Sequence, residues 1–516
     1  MDANIRLKRD MTLGTGAAEN DGEFLSRCFV ETPEYRILCN FNDRKTILLG
    51  RTGTGKTALL KQLKENVDVY IEIKPNTFAI QYISNLPFIQ MLRGQGVNLD
   101  VYYKFLWLHE IMSKIIKEYF AYKGQDFVQM FTERIKNPSR IGQMKKYLKS
   151  YGNIFFEEKG AEKVTTELEA SLKAAFPNNV LSAGLTEVQK KEIQTLASLR
   201  INETQINQLK NIIQLLKEFL EENHQRKILV AIDDLDQNWV DIDSKYKLIG
   251  ALLDAVRLFA DVPSLKILLA MRSDLLLKTC NATGRQTEKD MSFTLRLNWS
   301  KDSLFQILNK RISWLFKHKY SKSHQITFHD IFKDCRISGV DAATYLIERT
   351  MMRPRDIITF VNLCIEESDN KTSVSEDAVL RAEKSFQHDR LNALYSEWQE
   401  NIPAIRIYIS ALFVLPSSFT LSEIVECFYD KIESSILMDG AYEDDSLVRA
   451  FLETPKTDLV KRRRNIQRLI EVAFLIGAVG KKDGNILVYS TPSIPELMPK
   501  DYMLDVVFVV HPLFRM

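Results

Sequence analysis

Residues 46–57 read Thr46-Ile47-Leu48-Leu49-Gly50-Arg51-Thr52-Gly53-Thr54-Gly55-Lys56-Thr57. Thr46 to Leu49 is a short apolar stretch bounded by turn residues, which reads as a buried strand of a parallel sheet. It runs into a full G-x-x-x-x-G-K-T, and a helix is expected to start at Lys56 or Thr57, the context this motif requires. The glycines let the backbone curl so that its N–H groups face phosphates at a helix N-terminus, where the macrodipole also favours negative charge. Lys56 would reach β- and γ-phosphates and the Thr57 hydroxyl would ligate Mg²⁺. The expected phosphate-binding set is Gly50, Arg51, Thr52, Gly53, Thr54, Gly55, Lys56, Thr57 and Ala58. A glycine turn with a chance lysine is the competing reading.

Working outward, Val67 to Ile73 fits a second strand, and Tyr102 to Tyr119 carries aromatic and aliphatic residues at helical spacing. Strand signals return at Lys227 to Ile232, followed by a helix over Tyr246 to Ala260 and strands at Leu265 to Met271 and Phe293 to Leu297. Alternating strands and helices predict an α/β fold with a parallel sheet covered on both faces. The strand from Lys227 delivers Asp233 to its carboxyl end, where ligands sit in doubly wound sheets, and Asp233 is the expected Mg²⁺ ligand. In the continuation Asp234-Leu235-Asp236, Asp234 is the first choice to orient an attacking water and Asp236 the second. Solvated acids capping the next helix are the alternative.

Leu265 to Met271 ends in Arg272-Ser273-Asp274, so Arg272 could sense a γ-phosphate from the same sheet edge; a salt bridge with Asp274 competes with that role. Arg353-Pro354-Arg355-Asp356 opens a helix, with proline suited to its first turn and Arg353 and Arg355 placed to offset phosphoryl charge. The domains expected are a flexible lead-in (1–23), a core (24–120 and 217–298) interrupted by a helical insertion (121–216), and a helical lid (299–375). Helices are expected at Ser303 to Lys317 and Val340 to Glu348. The last domain (376–516), with helices and then a hairpin over Gly477 to Tyr489, reads as winged-helix-like. Turn-rich breaks stand at Pro138-Ser139 and Pro177-Asn178-Asn179.

At 516 residues the chain exceeds what one core sustains, and 45% hydrophobic with 27% charged residues is an ordinary globular balance. A net charge of +3 gives no general signature of a polyanion partner, so any nucleic-acid contact must be local. Lys461-Arg462-Arg463-Arg464 is the local basic run; a solvated helix face is the competing reading. The six cysteines include no CxxC pair, and the seven histidines have no HxxxH or HExxH spacing. No G-x-S-x-G elbow, signal peptide or stretch of about 18 apolar residues is present, so a cytoplasmic, non-membrane chain is expected.

GRTGTGKT at 50–57, ILVAIDDLD at 228–236, LLAMRSD at 268–274 and MRPRDI at 352–357 stand in the order Walker A, Walker B, sensor 1 and sensor 2. Over about residues 25–370 the chain resembles the AAA+/STAND side of the P-loop NTPase superfamily, and within it bacterial KAP-like and related ATPases. The resemblance implies a five-stranded core with a helical lid, nucleotide bound between them, a following winged helix, and self-association. It assigns Asp233 and Asp234 to Walker B, Arg272 to sensor 1, and Arg353 or Arg355 to sensor 2. An aspartate at 234, where many hydrolytic relatives have glutamate, implies slow or partner-stimulated turnover. The insertion at 121–216 and the absence of an identifiable arginine finger depart from a minimal AAA+ core. The resulting expectation is an ATP- and Mg²⁺-dependent switch controlling a partner protein, a setting that the resemblance links to antiphage defence. A DNA-associated motor or loader is the alternative, and a phosphotransferase the third reading.

Overall fold

The computed structural model describes residues 6–75, 86–121, 160–175, 186–201, 207–222, 226–320, 325–438, 445–484, 486–491, 494, 496–503 and 506–515. Two units are present: Met1–Thr32, Gly50–Ala58 and Arg296–Met516 form one, and Pro33–Leu49 with Leu59–Leu295 the other.

The second unit is built on a five-stranded sheet of order β2-β3-β4-β1-β5, comprising β1 (Ile47–Leu49), β2 (Val69–Ile73), β3 (Ile228–Ile232), β4 (Leu265–Met271) and β5 (Thr294–Arg296). Pairings β1–β4, β3–β4 and β2–β3 are parallel, with Leu49 opposite Met271, and Ile232 opposite both Leu269 and Ile73. Every residue of β3 and β4 is buried, as expected of central strands covered on both faces. Lys266 is the charged exception in β4. Its ammonium donates to the Asn40 carbonyl at 2.8 Å, and burial pushes its pKa down to about 8.

Helices Asp100–Ala121 and Ile242–Arg257 pack beside the sheet, joined where the Trp107 indole donates to the Leu248 carbonyl at 2.9 Å. Among the described residues of the expected insertion are helices Gly160–Ala175, Glu187–Ile201 and Asn207–Glu222. They share one apolar core with the sheet through Leu168, Leu172, Ile193, Leu209 and Leu216. Tyr102 and Thr165 share a buried hydroxyl–hydroxyl hydrogen bond of 2.6 Å. The breaks expected at Pro138-Ser139 and Pro177-Asn178-Asn179 lie outside the described residues.

In the first unit, helix Lys301–Lys319 leads to a two-stranded hairpin, β6 (Arg336–Ile337) with β7 (Val340–Asp341), and then to helices Ala342–Glu348, Pro354–Glu366 and Glu376–Trp398. The helix expected from Val340 therefore starts two residues later. A turn with left-handed Ser338 and Gly339 pairs Val340 into the hairpin, and Asp341 caps the helix by accepting from the Thr344 N–H at 3.0 Å. Helix Glu376–Trp398 begins at the expected boundary, capped by Ser375, and stacks Phe386 on Phe360 at 4.5 Å.

Beyond it, helices Ile405–Leu412, Tyr429–Met438, Ser446–Glu453 and Leu459–Leu475 accompany β8 (Ser418–Thr420), β9 (Val479–Asp483), β10 (Ile486–Val488) and β11 (Val507–Val510), ordered β10-β9-β11-β8. The hairpin expected over 477–489 is formed by β9 and β10, with Asp483 opposite Ile486.

Residues 6–21, expected as a flexible lead-in, are instead packed. Leu7, Met11 and Leu13 are buried, Leu7 and Lys371 share a 2.8 Å backbone bond, and the Leu13 N–H donates to Asn362 Oδ1 at 2.8 Å. Arg311 donates to the Leu13 carbonyl at 2.7 Å and forms a buried ion pair with Asp21. Three apolar anchors scattered through a polar stretch have no periodicity that would reveal this.

Among the described residues no helix is long and apolar enough to cross a membrane.

His511 is buried between the Tyr489 and Phe514 rings, and its Nδ1 accepts from the Leu513 N–H at 3.2 Å. Burial, reinforced by the charges of Arg515, Arg353, Arg349 and Arg51, pushes its pKa down to about 3. The unfolded chain therefore takes up a proton near pH 6.5 that the folded chain refuses until about pH 3, so stability falls as pH falls through that window. Between pH 7 and pH 5 this one group should remove about 2 kcal/mol. Urea unfolding of wild type and His511→Gln at both pH values checks it, the variant being expected to lose that part of the pH dependence.

Candidate functional site

β1 hands the chain to Gly50, and the loop that follows turns through left-handed Gly53 (φ 78°) and Gly55 (φ 91°) before helix Lys56–Lys64 begins. A Cβ on Gly53 would lie 3.2 Å from Arg355 Cβ, so its lack of a side chain serves close approach as well as conformation. The Lys56 ammonium folds back onto the loop, donating to the carbonyls of Gly50 (3.0 Å) and Arg51 (3.2 Å). Thr54 Oγ1 donates to the same Arg51 carbonyl at 2.7 Å, and the Trp299 indole donates to the Thr54 carbonyl at 2.8 Å.

Arg51 points the other way. Its guanidinium donates to the carbonyls of Leu475, the last residue of its helix, at 2.7 Å and of Ser490 at 3.5 Å.

The two candidate arginines of the Pro354–Glu366 helix differ sharply. Arg355 sits against the loop: its N–H donates to the Gly53 carbonyl at 3.4 Å and its Nε to the Gly16 carbonyl at 3.0 Å. Arg353 is 1% exposed and pairs with Glu397 at 3.4 Å, beside Arg390, which pairs with Asp356 at 3.4 Å and Glu397 at 3.5 Å. Burial lowers the Arg353 pKa and raises that of Asp356. Arg353 is thus a core charge, which the phosphate-facing expectation did not anticipate.

In the sheet unit, Asp233 leaves the carboxyl end of β3 and is buried, and its Oδ1 accepts from the Asp234 N–H at 2.9 Å. Asp234 adopts φ 61°, and its carboxyl is raised above the ordinary range by burial and by the neighbouring Asp233 charge. Lys74, one residue beyond β2, lies 3.9 Å from Asp234 and 3.3 Å from Glu72. Asp236 is exposed, and only its backbone carbonyl accepts from Lys245, at 3.3 Å. Arg272 is buried in a bidentate salt bridge with Asp274 at 2.9 and 3.1 Å, the competing arrangement named above. The strand register brings Leu49, Ile232 and Met271 to one carboxyl edge, so Gly50, Asp233 and Arg272 each follow a strand end of that edge.

Lys74 was within reach of sequence reasoning, since it directly follows an expected strand. Trp299 gave no such signal.

The basic run is largely engaged within its own unit. Lys461 pairs with Asp458 at 3.5 Å, Arg462 with Asp430 at 2.7 Å while lying over the Tyr429 ring, and Arg463 donates to the Tyr502 carbonyl at 3.0 Å.

Comparison with known proteins gives a match to the FunZ-associated C-terminal helical domain over residues 302–395, from the Lys301–Lys319 helix into the Glu376–Trp398 helix. The chain is similar to a putative transposon gamma-delta 80.3 kDa protein of Escherichia coli strain K12, 22% identical over 525 residues, covering all of this chain and 68% of the relative. A shorter stretch is similar to allergen Alt a 2 of Alternaria alternata, 24% identical over 143 residues, or 27% of this chain and 72% of that protein.

The two arginines separate experimentally. Arg353→Met, which takes one of two guanidinium partners from the buried Glu397, should cost about 3 kcal/mol in urea unfolding. Arg355→Ala, removing a partly exposed side chain, should cost about 1 kcal/mol or less.

Proposed function

We propose that the chain is a Mg²⁺-dependent ATPase of the AAA+/STAND type, similar to KAP-like P-loop ATPases, that acts as a nucleotide-driven switch on a partner protein. The observation behind this reading is the sheet edge: a G-x-x-x-x-G-K-T loop follows β1 and Asp233 follows β3, on either side of β4. Loop N–H groups at a helix start, left-handed Gly53 and Gly55, and the Lys56 ammonium suit a polyphosphate. The Thr57 hydroxyl and Asp233 carboxylate are hard oxygen donors of the kind Mg²⁺ takes together with phosphate oxygens and water.

On this reading Lys56 leaves the Gly50 and Arg51 carbonyls for the β- and γ-phosphates. Asp234 orients a water in line with the γ-phosphoryl group, with Asp236 as the second candidate and Lys74 positioning Asp234. Thr57 and Asp233 would hold Mg²⁺, which would supply neutralisation of phosphate charge. Water oxygen bonds to phosphorus, the bond to the bridging oxygen breaks, and ADP departs. Arg355, held against Gly53, is the arginine placed to stabilise phosphoryl charge, whereas Arg353 holds the fold. Arg272 would reach a phosphate only by giving up Asp274.

The KAP-like resemblance supports self-association and a role in antiphage defence, and use of ATP and Mg²⁺ suits a cytoplasmic setting.

The second reading is a DNA-associated ATPase. A winged-helix-like hairpin, β9–β10, follows helix Leu459–Leu475, and one relative is named for a transposon. Arg462 and Arg463 are occupied by Asp430 and Tyr502, which weighs against the basic run as a phosphate-binding face.

Phosphate release from ATP by wild type, Lys56→Ala and Asp234→Asn, with and without duplex DNA, tests both. Lys56→Ala should lose nucleotide binding, and Asp234→Asn should bind but hydrolyse at least about 100-fold more slowly. Stimulation by DNA that fades with salt would promote the second reading. Wild-type rates in both variants would overturn the first.

A further inference from the structure

Arg51 stands at the second position of the glycine-rich loop, yet its side chain serves the C-terminal part of its unit. Its guanidinium donates to the carbonyl of Leu475, which as the last residue of helix Leu459–Leu475 lacks an intrahelical partner. The same group reaches the Ser490 carbonyl, just beyond β10, at 3.5 Å. Between these two anchors lies the β9–β10 hairpin.

An independent observation makes the seat specific. Gly477, at φ 81°, has no room for a side chain, because a Cβ there would collide with the Arg51 guanidinium and press on the Met351 methyl group at 2.9 Å. The helix end, the hairpin base and the glycine between them thus form a socket for one loop side chain.

The backbone of the same residue is tied to the loop's lysine. The Arg51 carbonyl accepts from Lys56 Nζ and from Thr54 Oγ1, so one residue carries the loop's internal bonds on its backbone and the hairpin's anchorage on its side chain.

We propose that Arg51 is the coupling residue between the glycine-rich loop and the β9–β10 hairpin. An anion in the loop draws Lys56 from the Arg51 carbonyl and competes for the guanidinium, which forms stronger bonds to phosphate than to neutral carbonyls. Release of Leu475 and Ser490 then loosens the hairpin base. This rests on the ATP reading for the identity of the anion, but the fastening itself does not.

Hydrogen exchange of the full chain tests both parts. Without nucleotide, Arg51→Ala and Gly477→Ala should each raise exchange in Val479–Asp483 and Ile486–Val488 by on the order of tenfold. Arg463→Ala, which removes a comparable bond to the Tyr502 carbonyl, should leave those strands unchanged. With Mg²⁺ and a non-hydrolysable ATP analogue, wild type should show the same loosening, and Gly477→Ala should bind the analogue with no further change in exchange.

Wild-type exchange in both nucleotide-free variants would overturn the fastening. Analogue binding by wild type, measured by calorimetry, without any change in the hairpin would overturn the coupling and leave the ATP reading standing. Failure of wild type to bind the analogue would remove the ATP reading and the coupling together, while the nucleotide-free comparison would still decide the fastening.

Discussion

Parallel pairing of β1 and β3 with the strand between them is the constraint on which the candidate site depends. A parallel register leaves every strand running the same way, so the residues that follow Leu49, Ile232 and Met271 emerge at one edge although they are separated by up to 222 positions in the chain. The full burial of β3 and β4 anchors that register, since slipping a strand by one residue would exchange its faces and carry Asp233 away from the edge. The chemistry of the acids follows from the same placement. Asp233 and Asp234 leave a wholly apolar strand, so one carboxyl is buried and its neighbour is raised by burial and by the adjacent charge.

What could be read from sequence had a local physical signature. β4 was legible as Leu265 to Met271 to the residue, because an apolar run broken by Lys266 alone and ending in Arg-Ser-Asp leaves little choice of boundary. The glycine-rich loop was legible because its glycines, lysine and threonine have fixed spacing. Long-range partnerships were not legible. Arg353 and Arg355 are two residues apart on one helix start and read alike, but one is committed to Glu397 and the other lies against Gly53. Helical geometry points adjacent first-turn positions in different directions, and only the packing of Glu376–Trp398 decides which is buried. The partners of the basic run were not legible for the same reason: charge in sequence does not reveal that Asp430 and a backbone carbonyl wait for it.

The cluster of Arg353, Asp356, Arg390 and Glu397 is an expensive way to hold helices Pro354–Glu366 and Glu376–Trp398 together, because each ion loses its hydration. Apolar residues of similar volume would pack there at lower cost. What charges add is directionality: a guanidinium accepts few geometries, and a register shift between the helices would strand several charges at once. The helix that carries Arg355 is thereby given a defined start relative to its neighbour, within the stretch that matches the FunZ-associated C-terminal helical domain.

The packed segment around Leu7, Leu13 and Asp21 belongs to a unit whose other parts are distant in the chain. The partners of Leu13 and Asp21 lie 349 and 290 positions later, at Asn362 and Arg311. At roughly 5–20 residues per second, a ribosome delivers Arg311 about 15 to 60 seconds after Asp21. During that interval the whole sheet unit is synthesised, so the sheet has the opportunity to form before its discontinuous companion can close. The early segment must wait without a partner, and its sparse apolar content suits the wait. Leu7, Met11 and Leu13 stand apart in polar surroundings, enough to anchor the segment once its seat exists and too few to make a sticky nascent chain beforehand.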